Sequence, residues 1–204
     1  YPLMDKKIWE YNPLNPQQLK DYDVSSYCYR HSRRDWKVSA YDKGYGINYD
    51  GDSRKPEYLI DGEKKTNWSS GKINDKPLEL PYYIIFDLNK VSDIDGVYLA
   101  NGYSNQCLAD VHVEYIGSEV ADPYDINAPW ETLLQVTDPN VVRANLKNER
   151  FFDCPRTQAR YLRLKISNPN TIVFKSDSDL TEEEKANQKK YHSFAEFGTY
   201  YKKP

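Results

Sequence analysis

In the stretch YLIDGEKKTNWSSG (58–71), an Asp-Gly pair, a threonine and a tryptophan follow one another closely. The Asp61-Gly62 pair predicts a turn that folds the chain back on itself. The Asp61 carboxylate, neighbouring main-chain carbonyls and the Thr66 hydroxyl would then converge on one point. Hard oxygen donors at short range are what Ca²⁺ requires, and one more carboxylate from elsewhere in the chain would complete such a shell. An ordinary Asp-Gly turn followed by a core tryptophan accounts for the same residues, and at this point both readings stand. A second acidic stretch, GINYDGDSRKPE (46–57), mimics an EF-hand loop through Asn48, Asp50, Gly51 and Glu57. Gly46 holds its first position, Pro56 falls near its end and no helices flank it, so a turn-rich surface loop is expected instead. Asn67-Trp68-Ser69 is a formal glycosylation sequon.

Other chemistries find no support in the sequence. It contains no GxSxG elbow, no phosphate-cradling glycine loop, no HExxH and no GxGxxG. His31, His112 and His192 are widely separated, and His112 falls on the polar alternation of a strand. Cys28 and His31 form a nucleophile–base pair only by proximity in sequence. Cys28, Cys107 and Cys154 have no CxxC spacing, which excludes a cysteine zinc site. One disulfide with a free thiol and three buried thiols both fit that count.

The frame that must position these residues is a chain of 204 residues, one sizeable domain with an extension. Apolar content is 39% and mean hydropathy is −0.87, the values of a chain that can build a core and still face water. No apolar run approaches the ~18–20 residues of a membrane-spanning helix. The N-terminal YPLMDKK lacks the apolar region of a signal peptide. A net charge of −3, without a basic stripe, argues against a nucleic-acid partner. The chain carries 19 tyrosines and four tryptophans, more aromatics than a core needs, and exposed aromatics suit flat, amphipathic ligands.

Hydrophobic periodicity is almost entirely two. Strands are predicted at 36–40, 82–88, 96–100, 111–116, 130–136, 150–153, 160–166 and 194–201. In RYLRLKI (160–166), Leu162, Leu164 and Ile166 face one way while Tyr161, Arg163 and Lys165 face the other, the pattern of a half-buried antiparallel strand. One helix is predicted within 178–190, capped by Asp179 and Glu182, as a short solvated insertion. No strand–helix–strand alternation is present, so the fold class is all-β, an antiparallel β-sandwich or jelly roll. Residues 1–32, with three prolines and mixed polarity, read as a linker or packed lead-in, and 33–204 as the domain.

LIDGEKKTNWSSG, YYIIFDLNKVSDIDGVYL, ARYLRLKI and FAEFGTYY, in that order, resemble the coagulation-factor type C (discoidin) domains, and most of all their bacterial branch, the family 32 carbohydrate-binding modules. The resemblance runs from about Trp36 to Tyr200. It implies a galactose-binding-like jelly roll with a structural Ca²⁺, held by the carbonyls of Tyr58, Glu63 and Ala195, the carboxylates of Asp61 and Glu196, and Thr66, while Trp68 anchors the loop in the core. It also implies a glycan site on loops at one end, at Tyr45, Tyr49, Ser69, Asn101, Tyr103, Asn105, Gln106, Tyr191 and His192. Amide and imidazole groups hydrogen-bond sugar hydroxyls, and tyrosine faces pack on a pyranose. Ser69 and Asn101 stand where galactose binders often carry His and Arg, so galactose itself is not specified. The implied function is a non-catalytic glycan-binding module of a bacterial surface or secreted glycan-utilisation protein. The alternative is a structural or protein-interaction sandwich.

Overall fold

The computed structural model describes residues 28–102, 111–136, 149–170 and 179–203. Its strands are β1 (Cys28–Arg30), β2 (Lys37–Tyr41), β3 (Trp68–Ser69), β4 (Lys72–Ile73), β5 (Lys76–Pro77), β6 (Tyr82–Asn101), β7 (Val111–Ile116), β8 (Glu131–Val136), β9 (Arg150–Ile166) and β10 (Ser193–Lys202). All pairings among them are antiparallel. β1, in the segment read as lead-in, pairs with β10 and extends the sheet.

Two strands are much longer than the sequence pattern predicts. The expected strands at 82–88 and 96–100 are one element, β6, and those at 150–153 and 160–166 are one element, β9. The first half of β6 lies between β2 and the second half of β9. Its second half lies between β10 and the first half of β9. Register breaks between Asp87 and Ser92 and between Ile94 and Gly96 mark the corner. Irregularities of this kind bend a strand without ending it, so that one strand can serve both layers of a sandwich. The polar run NKVSD at the corner reads as a loop in sequence, which is why one element looks like two.

The inward alternation of β6 and β9 fills the space between the layers. Tyr82, Ile84, Phe86, Leu162, Leu164 and Ile166 are buried, and across the gap Phe86 stacks on Phe197 of β10 with ring centroids 4.4 Å apart. The outward face of β9 departs from the half-buried expectation, because Tyr161 and Arg163 are also buried. Arg163 is covered by the Tyr83 and Trp130 rings, so the aromatic surplus of the sequence is spent partly on the outside of the sheet. Across β6 and β10, Gly198 faces Tyr98, and a Cβ on that glycine would lie 2.2 Å from the tyrosine ring. The close approach therefore requires glycine.

The helix α1 (Glu182–Gln188) buries no residue. Its cap is Thr181 with Glu184, a reciprocal capping box, rather than the expected Asp179 with Glu182. Thr181, two residues closer to the helix, accepts the Glu184 N–H while the Glu184 carboxylate accepts the Thr181 N–H, and Asp179 is left outside.

Candidate metal loop and ligand-binding end

The loop that carries Asp61 begins with a 3₁₀ turn, Pro56–Ile60, which buries Leu59 completely. Tyr58 lies in that turn. Asp61 follows in the right-handed region, and Gly62 takes φ 80°, a left-handed conformation that glycine adopts without steric cost. Asp61 Oδ1 accepts the Glu63 N–H at 2.8 Å, which closes the turn on its own side chain. The Thr66 hydroxyl lies 2.5 Å from Asp61 Oδ2 and 2.9 Å from the Glu63 carbonyl oxygen. One hydroxyl proton cannot serve both acceptors at once. Three oxygens are therefore gathered with fewer protons than their contacts demand.

Trp68 fixes this loop to the core. Its ring is fully buried and stacked on Phe194, and Nε1 donates to the Asn48 carbonyl at 2.8 Å. The anchoring reading of Trp68 holds. Asn67, the formal sequon residue, is buried and donates from Nδ2 to the Ser69 and Ser193 hydroxyls, so the folded chain does not present it for glycosylation.

β10 supplies the other half of the site. A register shift between Phe194 and Glu196 leaves Ala195 as an extra residue in the strand. Such a bulge re-aims the side chains beside it. Glu196 is 1% exposed, and its Oε2 accepts from Arg33 Nη1 at 2.5 Å. Oε1 is equally buried and has no hydrogen-bond partner. Burial pushes this carboxyl up to about 7; Arg33 pulls it down, and the Asp61 carboxylate raises it. Two ionised carboxylates offer each other only acceptors, so a shared proton or a cation between them is favoured. Arg33 Nη1 also donates to the carbonyls of Leu59 at 3.2 Å and Phe197 at 2.9 Å. Among the described residues, no cluster of three or more His, Cys, Asp and Glu side chains is suited to a metal. Two carboxylates, a hydroxyl and carbonyls form a donor set for a hard cation, not for zinc. The orphaned Glu196 Oε1, on a carboxyl that also feels Asp61, fits Ca²⁺.

The expected glycan residues are distributed differently. Ser69, Asn101 and His192 are buried and offer no surface to a ligand, which corrects their reading as contacts. They stand at strand ends whose side chains turn inward: Asn101 pairs in register with Phe194, and Ser69 with Ser193. The His192 imidazole meets the Tyr82 ring edge-on and lies 3.0 Å from the Lys190 carbonyl through Nδ1. Burial pushes its pKa down to about 4, so it is neutral at ordinary pH. Tyr45 belongs to the outer face of the sheet, stacked on Tyr41 and tilted against Tyr83, its hydroxyl accepting from Arg163. Tyr49 is half-buried against the core. Tyr191 is half-buried at the loop end, its hydroxyl 3.4 Å from the Asp75 carbonyl. Tyr103, Asn105, Gln106 and Cys107 lie outside the described residues, while Cys28 and Cys154 form no disulfide with a described residue.

One feature at this end escapes the sequence reading. A cleft of about 490 Å³ is lined by Asp42, Lys43, Gly44, Ile73, Pro77, Leu78 and Glu79. Ile73 is 64% exposed, on a hairpin whose turn residues Asn74 and Asp75 both take positive φ. Consecutive left-handed residues are the signature of a tight two-residue hairpin turn, and Asn-Asp was its legible signal. Polar groups around an apolar floor can hold a pyranose by its hydroxyls and its C–H face.

The fold is an antiparallel β-sandwich of the galactose-binding-like jelly-roll class. The F5/8 type C domain profile matches residues 37–176, and the chain belongs to that family. Among solved structures, it is similar to the Clostridium perfringens module CpGH89CBM32-5 in complex with GalNAc-β-1,3-galactose (15% identity, TM-score 0.55, covering 84% of this chain and 99% of that one). It is also similar to the family 32 module of Clostridium perfringens NanJ in complex with galactose (15% identity, TM-score 0.52, 83% and 96% covered). A third similar structure is the C-terminal domain of a chitobiase from Bacteroides fragilis (22% identity, TM-score 0.53, 84% and 96% covered). Compared with curated protein sequences, the chain matches none.

Proposed function

We propose that this chain is a non-catalytic carbohydrate-binding module with a structural calcium site, part of an extracytoplasmic glycan-utilisation protein of a bacterium. The observation that carries the reading is the open cleft at the loop end of a family sandwich, with Ile73 and Leu78 as its floor and Asp42, Lys43 and Glu79 as polar partners. Similar modules, sharing this fold over nearly their whole length, hold galactose or GalNAc-β-1,3-galactose. Tyr191 borders the same hairpin and adds an aromatic ring to the surface. Tyr103, Asn105 and Gln106, in the sequence that follows β6, are the further candidates.

Calcium would be held by Asp61, Thr66, Glu196 and the Glu63 carbonyl, with the carbonyls of Tyr58 and Ala195 completing the shell. It would neutralise two facing carboxylates and pin the loop to β10. The metal is structural in this reading, because glycan recognition is assigned to the cleft and its rim. Calorimetric titration of galactosides, N-acetylhexosamines and plant polysaccharide fragments, with and without EDTA, tests both parts. Binding is expected in the weak range, where a 1 mM dissociation constant corresponds to about −4.1 kcal/mol. Silence across the panel would move the function to protein interaction.

A further inference from the structure

Glu196 faces two centres at once. Its Oε1 is buried without a hydrogen-bond partner, with the Asp61 carboxylate of the metal loop acting on the group, and its Oε2 is held by Arg33, which comes from the stretch between β1 and β2. One guanidinium nitrogen, Arg33 Nη1, touches three acceptors from two elements: the Leu59 carbonyl of the 3₁₀ turn, the Glu196 carboxylate and the Phe197 carbonyl of β10. The side chain is 15% exposed, and the guanidinium carbon lies 5.6 Å from the centre of the Tyr98 ring. A buried, aromatic-covered guanidinium spanning loop and strand is placed to do part of what a metal ion does there.

We propose that Arg33 is a built-in counter-cation of the metal loop, one that keeps the loop docked on β10 without calcium and so lowers both the affinity for the ion and the fold's dependence on it. The inference rests on the calcium reading above. Asp61 and Glu196 bring two negative charges and Arg33 one positive, so a single net negative charge is left for Ca²⁺ to neutralise. Without Arg33 the ion would meet two. In a partly buried site a unit charge at contact range changes the attraction for a divalent ion substantially. The guanidinium also repels the incoming ion directly. Both effects have the same sign, so removing the charge of Arg33 must tighten calcium binding while weakening the calcium-free fold.

Two substitutions separate charge from geometry. Arg33→Gln removes the charge and keeps N–H donors for the Leu59 and Phe197 carbonyls. Arg33→Lys keeps the charge and loses the planar fork. Calcium titrations by calorimetry and melting curves in calcium and in EDTA are read for both variants and the wild-type chain. For Arg33→Gln the expected result is a calcium dissociation constant at least about tenfold lower than wild type. Its melting temperature should fall far more in EDTA than in calcium, and folding only in the presence of calcium is the extreme form of that result. Arg33→Lys should bind calcium close to the wild-type level. If the wild-type chain binds calcium and Arg33→Gln binds it no more tightly, Arg33 is not a counter-cation and the calcium site stands. Failure of Arg33→Gln to fold in millimolar calcium overturns the proposal as well, since the metal then does not take over. If neither chain binds calcium, the calcium site itself falls, and this proposal with it.

Discussion

Among the described residues, two buried glutamates, Glu114 and Glu196, each pair with an arginine, and the two pairs are built to different ends. On the outer face of the sheet, Arg163 meets Glu114 through two nitrogens, Nε to Oε1 at 3.1 Å and Nη2 to Oε2 at 3.2 Å. The guanidinium lies between the Tyr83 and Trp130 rings, and Nη1 reaches the Tyr45 hydroxyl. Both carboxylate oxygens have a partner, and the pair is closed. At the other site, Arg33 reaches one oxygen of Glu196 through Nη1, and the same nitrogen donates to two carbonyls. The second oxygen is buried without a hydrogen-bond partner, and the Asp61 carboxylate acts on the same group. The same two residue types form a structural clamp where both carboxylate oxygens are met, and, in the reading proposed above, a cation site where one acceptor is left open near a second carboxylate.

The sharpest way to break this comparison is to remove one member of the closed pair. Arg163→Met leaves Glu114 buried without a counter-charge, and breaking a buried pair in this way costs about 3–5 kcal/mol. Urea denaturation with an unchanged m-value reads that loss as a lower midpoint. The same loss is expected in calcium and in EDTA, because no metal enters that site. A loss that shrank when calcium was added would remove the distinction between the two pairs.

His192 sharpens the contrast from another direction. Its Nε2, like Glu196 Oε1, is buried without a hydrogen-bond partner, yet it makes no site. An imidazole meets burial by giving up its proton, whereas a carboxyl meets it by taking one up or by gaining a cation, and Glu196 has Arg33 on one side and Asp61 near it. The folded pKa of His192, about 4, lies below the ordinary histidine value of 6.5. The unfolded chain therefore binds the proton first as pH falls. The contribution of His192 is fully present above about pH 6.5 and is lost as pH drops toward 4, by on the order of 3 kcal/mol. The stability difference between wild type and His192→Gln, followed by urea denaturation from pH 7 to pH 4, should narrow by that amount. A constant difference would show that the imidazole stays accessible to protons.

Calcium removal is the next largest expected effect. A ligand that binds only the native state adds about 2.7 kcal/mol at a hundred times its dissociation constant. EDTA should lower the melting temperature accordingly, and Glu196→Gln should abolish the difference between calcium and EDTA. Glu114→Gln lowers stability but should keep that difference intact. An unchanged wild-type melting curve in EDTA, with no metal bound, would reduce the open pair to an ordinary turn.

The sequence exposes the local parts of this design and conceals the distant ones. Asp61, Gly62, Thr66 and Trp68 are legible together because turn, hydroxyl and anchor are short-range features of one segment. The layers are legible because alternation at period two survives in Ile84, Phe86, Leu162 and Leu164. Arg33 is invisible to the same reasoning, since the carboxylate it holds is 163 residues away and nothing near Arg33 signals it. The corner of β6 is misread because its polar residues face water while Asn89, at φ 67°, bends the strand instead of ending it. Ser69, Asn101 and His192 are misread because a position near a loop in sequence does not fix which way the last strand residue points. That direction is set by pairing across β3, β6 and β10.

The smallest expected effect concerns the ligand end, where no buried charge is at stake and substitutions should change binding without changing stability. Tyr191 is half-buried, with its hydroxyl against the Asp75 carbonyl of the hairpin that also carries Ile73. Tyr191→Phe removes one hydrogen bond, worth about 0.5–1.5 kcal/mol, and keeps the ring. Tyr191→Ala removes both. If the ring is a sugar platform, alanine should weaken glycan binding several-fold more than phenylalanine, in calcium and in EDTA alike as long as the chain is folded. If the hydroxyl only steadies the hairpin, the two variants should weaken binding equally and slightly. Calorimetry with whichever glycan of the panel binds the wild-type chain distinguishes these outcomes. A loss of melting temperature in Tyr191→Ala comparable to that of Glu196→Gln would instead place Tyr191 with the structural residues, and leave the cleft between Asp42 and Glu79 to hold the sugar by itself.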